Sequence, residues 1–299
     1  MTLEDLVALA HRRCLAACRD GGAPAWTLGC FKRRSITFFS GITDDSTQVY
    51  WLQTRGLTAD LRLPAGRRLA GDAAAIEGGL ARARWDGQRM TWFDWTSFQL
   101  HDRWPEPGVL RRVGDCLIEH APSGAYVEDW RFQPSATGLL LGLRLLEERD
   151  VDRHEVRHRG GGLVVCGQHA AFVRGRARSL PAGGRLADVL RDAGGDPSVL
   201  GAAFAFEASY ARREPSGGFT VVASTDPRRR GASLLQLDGF EIDPTDGGVV
   251  QRVREDGRGL ERRFTLDTAV PDFEFRLDTF AAPEAHSWLA GEADALLGR

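Results

Sequence analysis

The sequence lacks a dominant charge, a long apolar run and a secretory pattern, and each absence excludes a class of protein. Its 39 Lys and Arg residues nearly balance 41 Asp and Glu residues, and the net charge of -2 argues against binding to nucleic acid or anionic membranes. No apolar stretch approaches the ~20 residues that a transmembrane helix needs. Charged side chains interrupt residues 1–20, which a secretory segment does not tolerate, so we expect a cytoplasmic protein without a membrane partner.

Recognisable cofactor motifs and paired cysteines are missing as well. The five cysteines are an odd number without a C-x-x-C pair, which indicates free thiols in a reducing compartment. The chain contains no phosphate-binding loop, no G-x-S-x-G elbow and no dinucleotide fingerprint. We therefore expect no cofactor, and the sequence does not define an oligomeric state.

The dominant signal that is present is β-strand. Aromatic and β-branched runs alternate with Gly, Pro, Asp and Ser turns through most of the chain, and the longer helical patterns lie at the two ends. A helix is predicted from Thr2 to the Gly pair at residues 21–22, and another from Pro283 to about Leu297. This pattern predicts an all-β protein with a helix at each terminus.

A short repeat indicates that the β unit is duplicated. The sequence LPAGRRLA at residues 63–70 returns as LPAGGRLA at residues 180–187, and similar strand patterns follow both copies. About eight antiparallel strands per unit are enough to close a barrel, although a β-sandwich remains possible. We therefore predict two tandem antiparallel β-barrels. The charged, glycine-rich residues 147–162 are the expected linker, which divides the chain into residues 1–155 and residues 156–299.

Three segments carry a resemblance to a known family. QVYWLQT at residues 48–54, AYVEDWR at residues 125–131 and GLVVCG at residues 162–167 resemble the fungal two-barrel, lipocalin-like Hri proteins. The resemblance implies two lipocalin-like barrels. It transfers no functional residue, because that family has no settled activity. Lipocalin-like barrels in general hold small apolar or aromatic ligands, but a fold does not determine a function.

Strand alternation predicts which polar side chains point into the first barrel. Side chains of one parity share one face of a strand, and the more apolar face of each strand is expected to point inward. The resulting interior combines three tryptophans with an amide, a phenol and two carboxyls: Trp51, Gln53, Trp92, Asp94, Tyr126, Glu128 and Trp130.

Two carboxyls in apolar surroundings favour proton-transfer chemistry, because burial and mutual repulsion separate their pKa values. We predict a cofactor-independent lyase or isomerase acting on a small aromatic or apolar molecule, with Glu128 and Asp94 as acid and base. Gln53 and the tryptophans would hold the substrate, and His101 would lie at the barrel mouth. A non-catalytic carrier with the same cavity is the alternative, and the carboxyls could also be structural partners of Arg or indole N–H groups. The second barrel is expected to be structural.

Histidines offer two further possibilities. His154-Glu155-Val156-Arg157-His158 matches the H-E-x-x-H pattern of zinc hydrolases, although its charged flanks and the following glycines favour a solvated connector. His169 lies on an apolar strand, where a histidine bonded to a backbone carbonyl is expected more often than a metal or haem ligand. The prediction therefore includes no metal site, with a zinc hydrolase as a remote alternative.

Overall fold

A computed structural model of the chain describes residues 1–16, 22–64, 76–100, 106–180 and 185–298. It contains two antiparallel sheets that follow one another along the chain. The strands of the first sheet are β1 (Gly29–Phe38), β2 (Thr43–Asp44), β3 (Gln48–Gln53), β4 (Leu57–Leu63), β5 (Glu77–Trp85), β6 (Arg89–Ser97), β7 (Gly108–Val113), β8 (Cys116–His120) and β9 (Tyr126–Phe132).

The first sheet is a closed barrel of eight strands. Each strand from β3 to β9 pairs with its predecessor in the barrel, and β9 returns to pair with β1. The short β2 adds to the outside of β1. Alternation in the sequence explains the closure, since residues of one parity fill the interior and residues of the other parity face solvent or the second sheet.

One end of the barrel, which we call the plugged end, is sealed by Arg112. Its guanidinium stacks 4.4 Å from the ring centroid of Phe132. The guanidinium also donates to the carbonyls of Trp26 at 2.7 Å, Gly114 at 2.8 Å and Arg276 at 2.6 Å. Trp26 belongs to the short 3-10 turn that leads into β1. The opposite end, where β4 finishes, is called the outer end below.

The second sheet repeats the up-and-down order of the first. Its strands are β10 (Gly138–Asp150), β11 (Glu155–Cys166), β12 (His169–Arg176), β13 (Glu207–Arg213), β14 (Phe219–Ser224), β15 (Phe240–Ile242), β16 (Val249–Glu255) and β17 (Arg258–Phe273). The first strand β10 pairs with the last strand β17, as β1 pairs with β9. In the described part of the chain, no ladder joins β14 to β15. Residues 231–234 lie beside β14, and residues 1–3 pair with residues 237–240.

The helices are α1 (Leu3–Arg12), α2 (Leu186–Asp192), α3 (Pro197–Phe204) and α4 (Pro283–Leu297). Thr2 and Asp5 form the capping box that starts α1. The apolar side of α1 packs into the concave face of the second sheet, where Leu3, Leu6 and Val7 are fully buried. The predicted all-β class with terminal helices is therefore confirmed. No helix in the described ranges is long and apolar enough to cross a membrane.

The barrel and the second sheet share a core. The ring of Tyr50 on β3 stacks on Tyr210 of β13 at a centroid distance of 3.9 Å. Asp267 on β17 accepts hydrogen bonds from the Thr54 hydroxyl and the Gly56 amide, both at 3.1 Å. These contacts fix the outer surface of the barrel against the second sheet.

The predicted linker at residues 147–162 is not a linker. It forms the hairpin between β10 and β11, in the middle of the second sheet. The change from one sheet to the other lies between Phe132 and Gly138, so the predicted boundary at residues 155 and 156 falls within the second sheet. Charge misled the prediction, because Glu148 and Asp150 are buried. Most of the repeated word, residues 65–70 and 181–184, lies outside the described residues.

The plug predicts a stability effect. Arg112→Met removes three hydrogen bonds from a charged donor and leaves carbonyls without partners, so we expect the free energy of unfolding to fall by about 2–4 kcal/mol. Arg111→Met is the matched control, since Arg111 donates only one 3.3 Å bond, to the carbonyl of Leu110. Urea unfolding of both variants measures the difference, and equal losses would contradict the sealing role of Arg112.

Candidate functional site

The half of the barrel interior nearer the plugged end is aromatic. Trp51 lies 5.9 Å from Trp92 and 5.3 Å from Trp130 between ring centroids, both edge-to-face. Trp51 donates its indole hydrogen to Gln53 Oε1 at 3.1 Å. The amide group of Gln53 in turn donates to the carbonyls of Thr54 and Leu57. Three tryptophans thus surround a small part of the barrel interior. The Gln53 side chain next to them is hydrogen-bonded through both its oxygen and its nitrogen.

Charged groups line the half of the interior nearer the outer end, and four of them form two ion pairs. Arg33 donates to Glu128 Oε1 at 2.7 Å, and the Glu128 side chain is only 2% exposed. Arg62 donates to Asp60 Oδ1 at 2.9 Å. Burial opposes the charged form of Arg62, but the carboxylates of Asp60 and Glu128 outweigh it and raise its pKa well above the usual value. Arg33 also donates to Asp44 Oδ2 at 3.0 Å, and Glu77 lies 3.9 Å from Arg62, so each arginine is close to more than one carboxylate.

Glu119 is the carboxyl for which no arginine remains. It lies on β8 directly opposite Glu128 of β9 in the strand register, and it is 2% exposed. The Tyr126 hydroxyl donates to Glu119 Oε1 at 3.4 Å. Burial, and next the charge of Glu128, raise the pKa of Glu119 well above its usual 4.5. Glu119 is therefore a carboxyl inside the barrel that holds its proton more tightly than an exposed glutamate does.

A cavity of about 10 Å³ lies between the tryptophans and these charges. A volume of roughly 10–15 Å³ holds one water molecule, so a single oxygen-sized group fits. Exposure of the side chains increases from 12% at Asp60 and 18% at Arg62 to 39% at Glu77, which leads toward the outer end. The lining residues are Trp51, Thr58, Asp60, Arg62, Trp92, Trp95, Glu119 and Trp130.

Two indole N–H groups beside this cavity have no acceptor among the described residues. They belong to Trp92, which is 8% exposed, and Trp130, which is 1% exposed. Buried indole nitrogens usually find a hydrogen-bond partner, and an unpaired one is costly. The site therefore presents hydrogen-bond donors that the described protein groups do not use.

The structure places most of the predicted interior residues together, with one correction. Trp51, Gln53, Trp92, Trp130 and Glu128 are all buried inside the first barrel, as alternation along β3, β6 and β9 indicated. Tyr126 is also inside, at 6% exposure, and its hydroxyl reaches Glu119. His101 lies outside the described residues.

Asp94 does not point into the barrel, so its predicted orientation is wrong. Its backbone φ is +57°, and the register of β5 against β6 shifts between Leu80 and Arg82. This bulge reverses the alternation along β6, so that Trp95 lines the cavity and Asp94 faces outward. The side chain of Asp94 is 49% exposed and pairs with Arg144 of β10 at 2.7 Å. Asp94 is thus not available as the interior base.

The histidine motif adopts a turn and a strand in place of a helix. His154 is an exposed turn residue with φ +58°, whereas His158 lies on β11. His158 Nδ1 contacts the Gly175 carbonyl at 2.9 Å, and burial and Arg174 lower its pKa to about 4. Within the ranges that the structure describes, no group of three or more His, Cys, Asp or Glu side chains could hold a metal ion. His169 contacts the Tyr210 hydroxyl at 2.8 Å and the Pro134 carbonyl at 3.4 Å.

The second sheet contains buried charges that the sequence-based interpretation did not expect there. Arg262 is 1% exposed and donates to Glu148 at 2.6 Å. Burial opposes the ionised form of Glu148, but Arg262 and Arg174 lower its pKa to about 2. Arg174 also pairs with Glu207. This network and α1 fill the concave face, which agrees with a structural role for the second unit.

The residues that the sequence interpretation missed are Glu119 and the Asp60–Arg62 pair as parts of the site. The order Cys116-Leu117-Ile118-Glu119-His120 alternates, and Leu117 is fully buried. Extending the parity rule to this strand would therefore have placed Glu119 inside. Asp60 and Arg62 have the same parity on β4, but the inward face of this strand carries Thr, Asp and Arg, so a criterion based on apolar residues could not select it.

Comparisons of the chain with protein-family models, with curated proteins and with solved structures find no match. The site is therefore interpreted from its own geometry.

The raised pKa of Glu119 predicts that the free energy of unfolding depends on pH. A carboxyl whose pKa is raised by folding contributes stability that is complete below its unfolded pKa of about 4.5 and is lost as the pH rises through the raised value. Glu119→Gln keeps the shape and is neutral at every pH. Wild type should therefore lose stability relative to this variant as the pH increases above 5, in urea unfolding at a series of pH values.

Glu128→Gln is the matched control for that measurement. It removes the partner of Arg33 in a buried ion pair, so we expect a loss of about 3 kcal/mol already at pH 6. Parallel pH profiles for wild type and Glu119→Gln would contradict a neutral Glu119.

Proposed function

We propose that the first barrel is the site of a cofactor-independent proton-transfer enzyme, a lyase or isomerase, with Glu119 as its general acid. The observation that supports this proposal is the buried carboxyl of Glu119 beside a small cavity: it forms no ion pair with any described residue, and its pKa is raised although Arg62 acts in the opposite direction. General acids that work near neutral pH are carboxyls whose pKa is raised by burial and by a neighbouring charge. Glu128 keeps the pKa of Glu119 high and is held in place by Arg33.

In each proposed reaction, the proton that Glu119 donates is replaced by a proton from the substrate. In an isomerisation, Glu119 gives its proton to one position of the substrate, and a proton from a neighbouring position restores the acid. In a dehydration, the proton goes to the departing hydroxyl, and a proton from the adjacent carbon replaces it. Both reactions return Glu119 to its neutral state, which the nearby Glu128 charge favours.

The size of the cavity favours catalysis over transport. A carrier that encloses a small organic ligand needs a cavity of a few hundred Å³. The interior volume of about 10 Å³ admits only the reacting end of a molecule, and the remainder would lie toward Arg62 and Trp95. A carrier remains the second candidate, and it predicts binding without turnover. The H-E-x-x-H motif lies on a turn and a strand in place of a helix, which does not support a zinc hydrolase.

The fold supports a finer structural proposal as well. We propose that both units are lipocalin-like barrels from one duplicated ancestor, with the pairing between β14 and β15 replaced by residues 231–240 and the N-terminal segment. The support is the same up-and-down strand order in both sheets, with the first strand paired to the last. The resemblance to two-barrel lipocalin-like proteins belongs to this proposal.

A deuterium experiment tests the enzymatic proposal without a known substrate. An extract of small neutral metabolites is incubated with the protein in D2O and compared by mass spectrometry. In an isomerisation, proton transfer through Glu119 puts a solvent deuteron on the product. Wild type should therefore yield deuterated or dehydrated compounds, and Glu119→Gln should yield neither. Identical product profiles for the two proteins would contradict the proposal, and compounds retained without turnover would favour a carrier.

A side chain that crowds Glu119 and Trp92 should reduce turnover as much as removal of the acid does. A Cβ at Gly108 would lie 3.0 Å from Glu119 Oε1 and 3.0 Å from Trp92 Cη2. Gly108→Ala should therefore abolish turnover in the same assay while costing about 1–3 kcal/mol of stability. Gly201→Ala is the matched control, because nothing lies within 4 Å of its added Cβ. Full activity of Gly108→Ala would place the reaction elsewhere.

A further inference from the structure

Two of the side chains that line the cavity in the first barrel carry unused hydrogen-bond donors. The indole N–H groups of Trp92 and Trp130 have no acceptor among the described residues, and both side chains line the cavity. Glu119 also lines it, and in its protonated form it carries a third donor, its O–H. Neither indole can accept a hydrogen bond at its nitrogen. A group entering this space is therefore selected for its ability to accept.

The charges around the cavity select against an ionic group. An anion would approach the carboxylates of Asp60 and Glu128, whose charges Arg62 and Arg33 already neutralise. A cation would meet Arg62 and the hydrogen ends of the two indoles. Both arginines already have carboxylate partners, and an uncompensated buried charge is strongly unfavourable. The entering group is therefore neutral.

We propose that the substrate presents a neutral carbonyl oxygen to this cavity. The inference rests on the proposed function, because it names the substrate class of that same site. A volume of about 10 Å³ accommodates one oxygen atom, and a carbonyl oxygen has two lone pairs for the donors around it. A carbonyl oxygen that accepts from a neutral carboxylic acid is polarised for proton transfer at the adjacent carbon. Trp92 and Trp130 are then positioning donors, and Glu119 is the catalytic acid.

Acetone labelled with ¹³C at its carbonyl is the probe for this proposal. Its carbonyl resonance should move saturably toward the hydrogen-bonded value on addition of wild-type protein. Trp92→Phe and Trp130→Phe keep an aromatic ring but remove the donor, so each should weaken acetone binding about tenfold. Trp85→Phe is the matched control, since Trp85 packs edge-to-face on Trp26 and does not line the cavity.

Acetate and methylammonium serve as the ionic competitors. Neither should displace acetone at concentrations at which a second neutral ketone, cyclopentanone, does. No saturable shift with wild type, unchanged affinity in both tryptophan variants, or displacement by acetate would each overturn the carbonyl assignment. The urea transition of each Phe variant shows whether that variant is folded. Loss of acetone binding supports the proposal only in a folded variant.

The two proposals fail in different ways. Saturable acetone binding without any deuterated or dehydrated product in the extract experiment contradicts the enzyme and leaves a carbonyl-binding protein. Deuterated products without acetone binding support the acid chemistry and overturn the carbonyl as the entering group.

Discussion

The closed barrel removes most of its interior side chains from water, and this burial constrains every charge inside. Charges removed from water are tolerated when they are paired, and Arg33 pairs with Glu128 and Asp44 while Arg62 pairs with Asp60. Glu119 is the odd carboxyl in this arrangement. Burial, and next the charge of Glu128, raise its pKa, and this shift gives Glu119 its character as an acid.

The rest of the molecule confines the candidate site to one place. Arg112 seals one end of the barrel by hydrogen bonds to three backbone carbonyls. The concave face of the second sheet is occupied by α1 and by the ion network around Glu148 and Arg262, which are each at most 1% exposed. The exposure of the side chains that line the cavity increases toward the outer end of the first barrel.

Alternation along strands predicted much of the interior, and it failed where the backbone departed from a regular strand. Trp51, Trp130 and Glu128 lie on regular parts of β3 and β9, so their parity was sufficient to place them. Asp94 lies at a bulge with a left-handed backbone, and one inserted residue reversed the faces of β6. No local pattern in the sequence marks that bulge, because Asp94 is not a glycine.

Long-range partners were the other feature that the sequence could not show. Residues 147–162 were interpreted as a linker because of their charge and glycines. Glu148 is buried there because Arg262, 114 residues later, reaches it from the neighbouring strand. In the same way, Glu119 forms no ion pair in the described structure because Arg33 and Arg62 pair with other carboxylates. These pairings depend on the register of β1, β4, β8 and β9, which the sequence does not show.

The central claim is that Glu119 is protonated at neutral pH, and a titration of its carboxyl tests this most directly. The protein is labelled with ¹³C at the glutamate side-chain carboxyls, and the Glu119 resonance is assigned by its absence from Glu119→Gln. The account predicts that this resonance keeps the chemical shift of a neutral acid at pH 7 and moves only at higher pH. A transition near pH 4.5, as for an exposed glutamate, would contradict it.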